Sequence, residues 1–356
     1  MTATLTTQQT TTAGHRAGPR TVSEVLTDAR NLVAPSMRAT IDRLTARIGT
    51  VAGYHLGWLD EHGARVEGDG GKAIRAALAV TACEAAGGTG LGAVPAAVAV
   101  ELAHNAGLLH DDIIDEDRTR RGRDTAWVVF GTPAALLVGD ALFLQAATVL
   151  AEAGGRLAEE GLLIYLQVAQ RLFDGEYVDT MLEDESDDLT VARIEAMCAD
   201  KTGSVIALSC ALGALAAGAH RDQVAHLQAF GNHIGLAFQY VDDSLGLWGS
   251  PDRTGKPVGA DLAAHKKSLP ITYALTSGTP AAQELAGIYA DRCELSPDRI
   301  EYATGLVEST GARAWARARA DAHIETALAH LSAARPEPAP ATELANLARH
   351  ITSRDN

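Results

Sequence analysis

Apolar positions recur along this chain at helical spacing, and no stretch alternates apolar and polar residues long enough to predict a strand. The pattern predicts a short helix over 22–33, interrupted at Pro35, and a second from Ser36 to Asp60. A loop rich in glycine and charge ends at Gly68-Asp-Gly-Gly71. Lys72–Ala86 reads as an apolar helix and Gly87–Gly92 as a loop. Pro95 sits in the first turn of the next helix, where its missing N–H costs nothing. Gly131-Thr-Pro133 opens a helix to about Ala153, and Leu157–Met181 continues the pattern. An acidic turn, Glu183–Asp188, precedes helices over Val191–Ala199, Ser204–Ala217 and from Arg221 to Gly246–Gly249. Ser250–Lys267 is a loop of Gly, Pro and Lys, followed by helices over 268–276, 281–292, 297–309 and 311–333. Ala333–Pro340 reads as a stiff linker before a short helix over 342–352. The expected fold is all-α, a helical bundle with its site in the core. Its parts are a disordered tail over 1–20, one helical domain over 21–333, and a linker with a short helix over 334–356.

Composition sharpens this picture. Hydrophobic residues make up 47% of the 356, yet aromatics only 4%, which favours packed helices over sheets. A net charge of −15 argues against a nucleic-acid partner. Cys83, Cys198, Cys210 and Cys293 are scattered without a CxxC spacing, which suits a reducing, cytoplasmic setting without a disulfide frame or zinc site. No apolar run is expected to reach transmembrane length. The tail lacks the apolar segment of a secretory signal and leaves room for a partner that the sequence does not identify.

Candidate chemistry concentrates between His104 and Gly122. Asp111, Asp112 and Asp115 stand at i, i+1 and i+4, so a helix crowds their carboxylates together. Oxygen-only ligands suit a hard cation, Mg²⁺ above all, with Mn²⁺ as a substitute. The bland alternative is a solvated charged face. Arg118, Arg120 and Arg121 follow closely and suit a phosphorylated substrate. A second acidic pair, Asp242-Asp243, lies far downstream in Phe238-Gln-Tyr-Val-Asp-Asp-Ser-Leu-Gly246. Lys72 and Arg75 fall in a first helical turn, against the helix dipole, so they serve an anion better than they serve the helix.

In this order, the motifs resemble those of the trans-isoprenyl diphosphate synthases, the polyprenyl synthetase family, over about residues 66–275, and geranylgeranyl diphosphate synthases in particular. The resemblance implies an isoprenoid synthase-type bundle around a central cavity, usually a homodimer. It implies Mg²⁺-dependent joining of an allylic diphosphate to isopentenyl diphosphate. Asp111, Asp112, Asp115 and Asp242 match metal ligands, with Asp243 and Lys201 in the catalytic set and Gln239 in support. Lys72, Arg75, His104 and Arg121 match the isopentenyl diphosphate pocket. Arg120, Lys201, Thr202, Lys256 and Lys266 match the allylic diphosphate site, the last two on a loop that closes against water. Ala106 and Gly107 precede the first acid where relatives set chain length, and their small size points to geranylgeranyl diphosphate. The chain departs from the pattern at Ala73 and Ala76, at Gly246 in place of a third acid, and at Arg171, read in the register of a glutamine three residues before Asp174. Two other readings stay open: a terpene cyclase on the same scaffold, and a non-catalytic subunit of a heteromeric synthase.

Overall fold

The computed structural model describes residues 18–66, 71–182, 189–250, 258–291 and 293–353. Its helices are α1 (Val22–Asp42), α2 (Ala46–His55), α3 (Ile74–Ala85), α4 (Val94–Ile114), α5 (Ala126–Phe130), α6 (Thr132–Ala153), α7 (Leu162–Met181), α8 (Val191–Cys198), α9 (Ser204–Ala216) and α10 (Arg221–Trp248). Beyond these lie α11 (Ala260–Ala263), α12 (Leu269–Leu275), α13 (Pro280–Ala290), α14 (Pro297–Ser309), α15 (Ala312–Ala333) and α16 (Pro338–Thr352). Among the described residues the only sheet is a hairpin, β1 (Thr119–Arg120) paired antiparallel with β2 (Arg123–Asp124).

Every residue of α9 from Ser204 to Leu215 is buried. A helix apolar all round belongs at the centre, and α9 packs there against α3, α4 and α10. The largest helix pairings are α4 with α6 and α10 with α15. This frame brings the C-terminal ends of α4, α7 and α10 around one cavity of about 1420 Å³.

Five expectations change. The predicted break at Pro35 is absent: α1 runs through it. Val25, Ala29, Val33, Met37 and Ile41 are all buried, so the apolar stripe keeps its phase across the proline. Helix α2 stops at His55 rather than Asp60, and α3 begins at Ile74, leaving Lys72 outside it. The C-terminal segment is not a linker with an appended helix. Helix α16 starts at Pro338, and its Leu344, Leu347, Ala348 and Ile351 join the main core. Arg20, placed in the tail, bonds Glu343 and Glu84, so chain order begins before Thr21; residues 1–17 lie outside the described ones. Finally, three helical stretches, Gly90–Ile114, Thr132–Ala153 and Val191–Ala216, are long and apolar enough to cross a membrane by length and composition alone. The first and third are mostly buried in the bundle; only 39% of the Thr132–Ala153 window is.

Candidate active site

The first acidic cluster closes α4, and the structure splits it. Asp111 and Asp115 line the cavity. Asp112, expected beside them as a ligand, is only 1% exposed and accepts from Arg120 Nε at 2.5 Å. Burial raises its pKa and Arg120 opposes that shift. Asp112 thus fixes the hairpin to α4 instead of facing the cavity. Arg121 and Gly122 form the hairpin's corner with φ of 54° and 74°, the left-handed pair of a tight two-residue turn. Both Arg120 and Arg121 reach the cavity from it.

Helix α8 passes into α9 through a π-helical turn, Ala199–Gly203, which carries Lys201 and Thr202. Such a turn widens a helix and commonly marks a functional position. Lys201 Nζ is held 2.8 Å from Glu176 Oε2 and 2.8 Å from Asp179 Oδ2, both on α7. Desolvation disfavours its charge, but Asp179, Asp111 and Glu176 outweigh that and raise its pKa. Position 175 must be glycine, because a Cβ there would lie 2.6 Å from Lys201 N. This geometry corrects the register read from sequence. Gly175-Glu176-Tyr177-Val178-Asp179 meets Lys201, whereas Arg171 pairs with Asp200 at 2.7 Å, away from the cavity lining. Glu176 was missed; it is half-buried beside Asp111, and desolvation followed by the Asp111 charge raises its pKa.

The second acidic pair also divides its work. Asp242 is exposed on the cavity face of α10. Asp243 is buried, accepting from Gln239 Nε2 at 2.7 Å and from Leu269 N at 2.8 Å. Thr202 Oγ1 donates to Gln239 Oε1 at 2.8 Å, so Thr202, Gln239 and Asp243 form one relay from the π turn to the start of α12. Burial, then Asp261, pushes the Asp243 carboxyl up to about 8. Asp243 therefore acts as a strut.

At the other side lie Lys72, Arg75, His104 and Arg121. Glu101 accepts from Ala76 N at 2.9 Å and so caps the start of α3. Burial lowers the Arg75 pKa, with Arg121 adding to it and Glu101 opposing. Burial and the two arginines hold His104 well below its ordinary value, so it stays neutral. A neutral imidazole among guanidinium groups can donate to an anion without adding to their repulsion. Lys266 Nζ stands 3.5 Å from Asp115 Oδ2 across the mouth. Lys256 lies outside the described residues.

Of the chain-length pair, only Gly107 lines the cavity. Ala106 is fully buried, its carbonyl facing α6 at Gly139, so it makes a close helix–helix contact. Gly107 also borders a second, mostly apolar pocket of about 310 Å³, shared with Phe143, Phe173 and Glu176. Phe143 and Phe173 meet edge-on, ring centres 5.0 Å apart.

The donors on the cavity wall suit Mg²⁺. Among the described residues, no three His, Cys, Asp or Glu groups converge closely enough to hold an ion by themselves. Mg²⁺ asks for less: one or two carboxylates, with phosphate oxygens and water completing its shell.

The model of the polyprenyl synthetase family matches residues 57–307. The chain belongs to the polyprenyl synthetase family. It is 40% identical to a (2E,6E)-farnesyl diphosphate synthase of Mycobacterium tuberculosis over 93% of this chain and 92% of that one. A geranylgeranyl diphosphate synthase of the same organism is also 40% identical, covering 93% of each. The solved polyprenyl synthetase of Streptomyces coelicolor A3(2) superposes with a TM-score of 0.87 at 39% identity, over 93% of this chain and 99% of that one. The polyprenyl synthetase described here is a trans-prenyltransferase by descent, and its fold is the helical isoprenoid synthase bundle.

Proposed function

We propose that this prenyltransferase extends an allylic diphosphate with isopentenyl diphosphate to geranylgeranyl diphosphate, using Mg²⁺. The relatives at 40% identity carry both farnesyl and geranylgeranyl names, so their names do not choose the product. The carrying observation is Gly107, which lines both the charged cavity and the apolar pocket. A Cβ at Gly107 would meet only Leu172 Cδ2, at 3.8 Å, so the glycine leaves a growing chain free passage. The Phe143–Phe173 pair then closes the pocket. The test is chromatography of the dephosphorylated products made from each allylic primer, with C20 expected to dominate. A C15 end product would place the stop earlier.

Asp111, Asp115 and Asp242 are the side chains offered to Mg²⁺. When bound, Mg²⁺ neutralises the diphosphate and stabilises the charge that develops on the leaving oxygen. Lys201, Lys266 and Arg120 add cations to the same diphosphate. Lys72, Arg75, Arg121 and neutral His104 hold the second substrate's diphosphate and set its double bond against the allylic carbon. The apolar walls exclude water that would quench an allylic cation. The departing pyrophosphate is the acceptor for the proton lost after condensation. A retained cationic pocket for a second diphosphate favours elongation over cyclisation, and Asp111 with Asp115 on the cavity favours catalysis over a non-catalytic role.

We also read the chain as a cytoplasmic homodimer. The dimer face is an apolar stripe of Leu137 and Leu144 on α6 with Leu163, Leu166, Phe173 and Tyr177 on α7, each 43–71% exposed. Contiguous exposed apolar surface of this kind marks an interface. Four free cysteines, three of them buried, support a reducing compartment.

A further inference from the structure

Arg120 and Arg123 are direct partners across the β1–β2 hairpin, with Arg121 and Gly122 at the corner between them. Like charges directly opposite each other repel, so each guanidinium needs a partner of its own. Arg120 has Asp112 on α4. Arg123 goes to a different helix. Its Nη2 donates to Leu59 O at 3.0 Å and its Nη1 to Tyr54 O at 3.4 Å. Tyr54 lies in the last turn of α2, where the carbonyls carry the negative end of the helix dipole. Arg123 Cζ also stands 4.2 Å from the centre of the Tyr54 ring, within cation–π reach.

The receiving side is rigid. Tyr54 is buried, its ring meets Phe130 edge-on at 5.2 Å, and its OH donates to Asp124 O at 2.8 Å. Leu59 packs on Gly53, where a Cβ would come within 2.7 Å of Leu59 Cδ1. Trp58 N and Leu59 N both donate to Gly53 O, at 2.8 and 3.2 Å. Asp60 Oδ1 closes the next turn by accepting from His62 N and Ala64 N. The Leu59 carbonyl is thereby fixed before Arg123 meets it. Neither Arg123 nor Tyr54 lines the cavity, whereas Arg121 does.

We propose that Arg123 is a positioning residue for Arg121: it pins the second strand of the hairpin to the end of α2, so that the corner arginine is presented to the diphosphate of isopentenyl diphosphate in one pose. This rests on the reading of Arg121 given above. Asp112 holds Arg120 independently, so the clamp acts on one substrate and spares the other.

The experiment is steady-state titration of each substrate on the full chain, with circular dichroism to verify folding. Arg123→Ala is expected to raise the KM for isopentenyl diphosphate about tenfold, with kcat and the allylic KM within about threefold of wild type. Arg123→Lys keeps the charge but lacks the fork that spans two carbonyls, and is expected to raise the same KM about fivefold. In an Arg121→Ala background, adding Arg123→Ala is expected to change that KM by less than about twofold, because the group it positions is gone. A folded Arg123→Ala protein with the wild-type KM overturns the proposal. Full activity of Arg123→Lys overturns it too, since charge alone would then suffice, as does full additivity with Arg121→Ala. If Arg123→Ala does not fold, Arg123→Lys carries the same comparison with Arg121→Ala. Arg121→Ala alone separates the two levels. If it leaves the isopentenyl diphosphate KM unchanged, the reading of the pocket fails; if it raises that KM while a folded Arg123→Ala does not, only the role of Arg123 fails.

Discussion

Lys201 Nζ and Glu176 Oε2 stand 2.8 Å apart, joining the π turn before α9 to the last turns of α7. Asp179 holds the same ammonium at 2.8 Å. Two carboxylates on one lysine leave it little freedom to sweep, so its charge is presented at a fixed point. Lys201→Ala is expected to raise the KM for the allylic diphosphate about 10–100-fold, the value of one charge-assisted bond of roughly 1.5–3 kcal/mol. The KM for isopentenyl diphosphate should stay within about threefold, since a different set of cations is proposed to bind it. Steady-state titration of each substrate separates the two, and equal rises in both would place Lys201 elsewhere.

Lys72 and Arg75 should part company on stability. Lys72 is exposed at the cavity rim, so Lys72→Ala should raise the isopentenyl diphosphate KM while leaving the melting temperature unchanged. Arg75 offsets the buried Glu101, so Arg75→Ala should also destabilise the fold, by about 1–3 kcal/mol. Thermal melts beside the kinetics check both. A cold-stable Arg75→Ala protein with normal melting would show that Glu101 does not need it.

For chain length the informative position is 107. Gly107→Phe should fill the passage and shift products toward C15 in a folded enzyme. Ala106→Phe should instead cost about 1–3 kcal/mol or more by overpacking against α6. Product chromatography and a melting curve on both variants decide it. A Gly107→Phe enzyme with an unchanged product would mean that the chain does not pass there.

Acid sensitivity should have a source outside the cavity lining. Glu195 Oε1 is 2.8 Å from His323 Nε2 and 2.6 Å from Arg319 Nη2. The His323 bond, then Arg319, lowers its pKa from 4.5 to about 2. The folded state therefore binds fewer protons than the unfolded one between those values. Its contribution is complete above pH 4.5 and drains away as pH falls toward 2. Glu195→Gln should flatten that part of the stability–pH curve, measured by urea midpoints. A variant with the wild-type acid slope would assign the loss to other carboxylates.

The helices and both acidic motifs were legible because apolar period and charge spacing are local properties. Four things were not. Pro35 reads as a breaker, yet the buried stripe from Val25 to Ile41 outweighs one lost hydrogen bond. The C-terminal Pro-rich stretch reads as a linker, although a proline in the first turn, as in α16, starts a helix well. Asp112 cannot be told from Asp111 by spacing, because adjacent residues on a helix point about a quarter-turn apart. The Gly175–Asp179 motif was legible in principle: a Gly-x-x-x-Asp run ending four residues short of an acidic stretch was there to be matched. Arg171 drew the register five residues upstream because it follows a glutamine.

Phe143 and Leu144 are neighbours on α6, about a quarter-turn apart, one turned inward and the other to the surface. Phe143 is 9% exposed and closes the apolar pocket; Leu144 is 71% exposed on the outer stripe. One stretch of backbone is therefore both an inner wall and the outer skin. On the proposed reading, whatever presses on Leu144, a second copy above all, would press on the wall that measures the product. Phe173 carries the same double duty on α7, a wall of the pocket and 43% exposed. Assembly and product length would then be linked quantities, and a change on the outside of the bundle that touches no substrate would alter how long a chain leaves it.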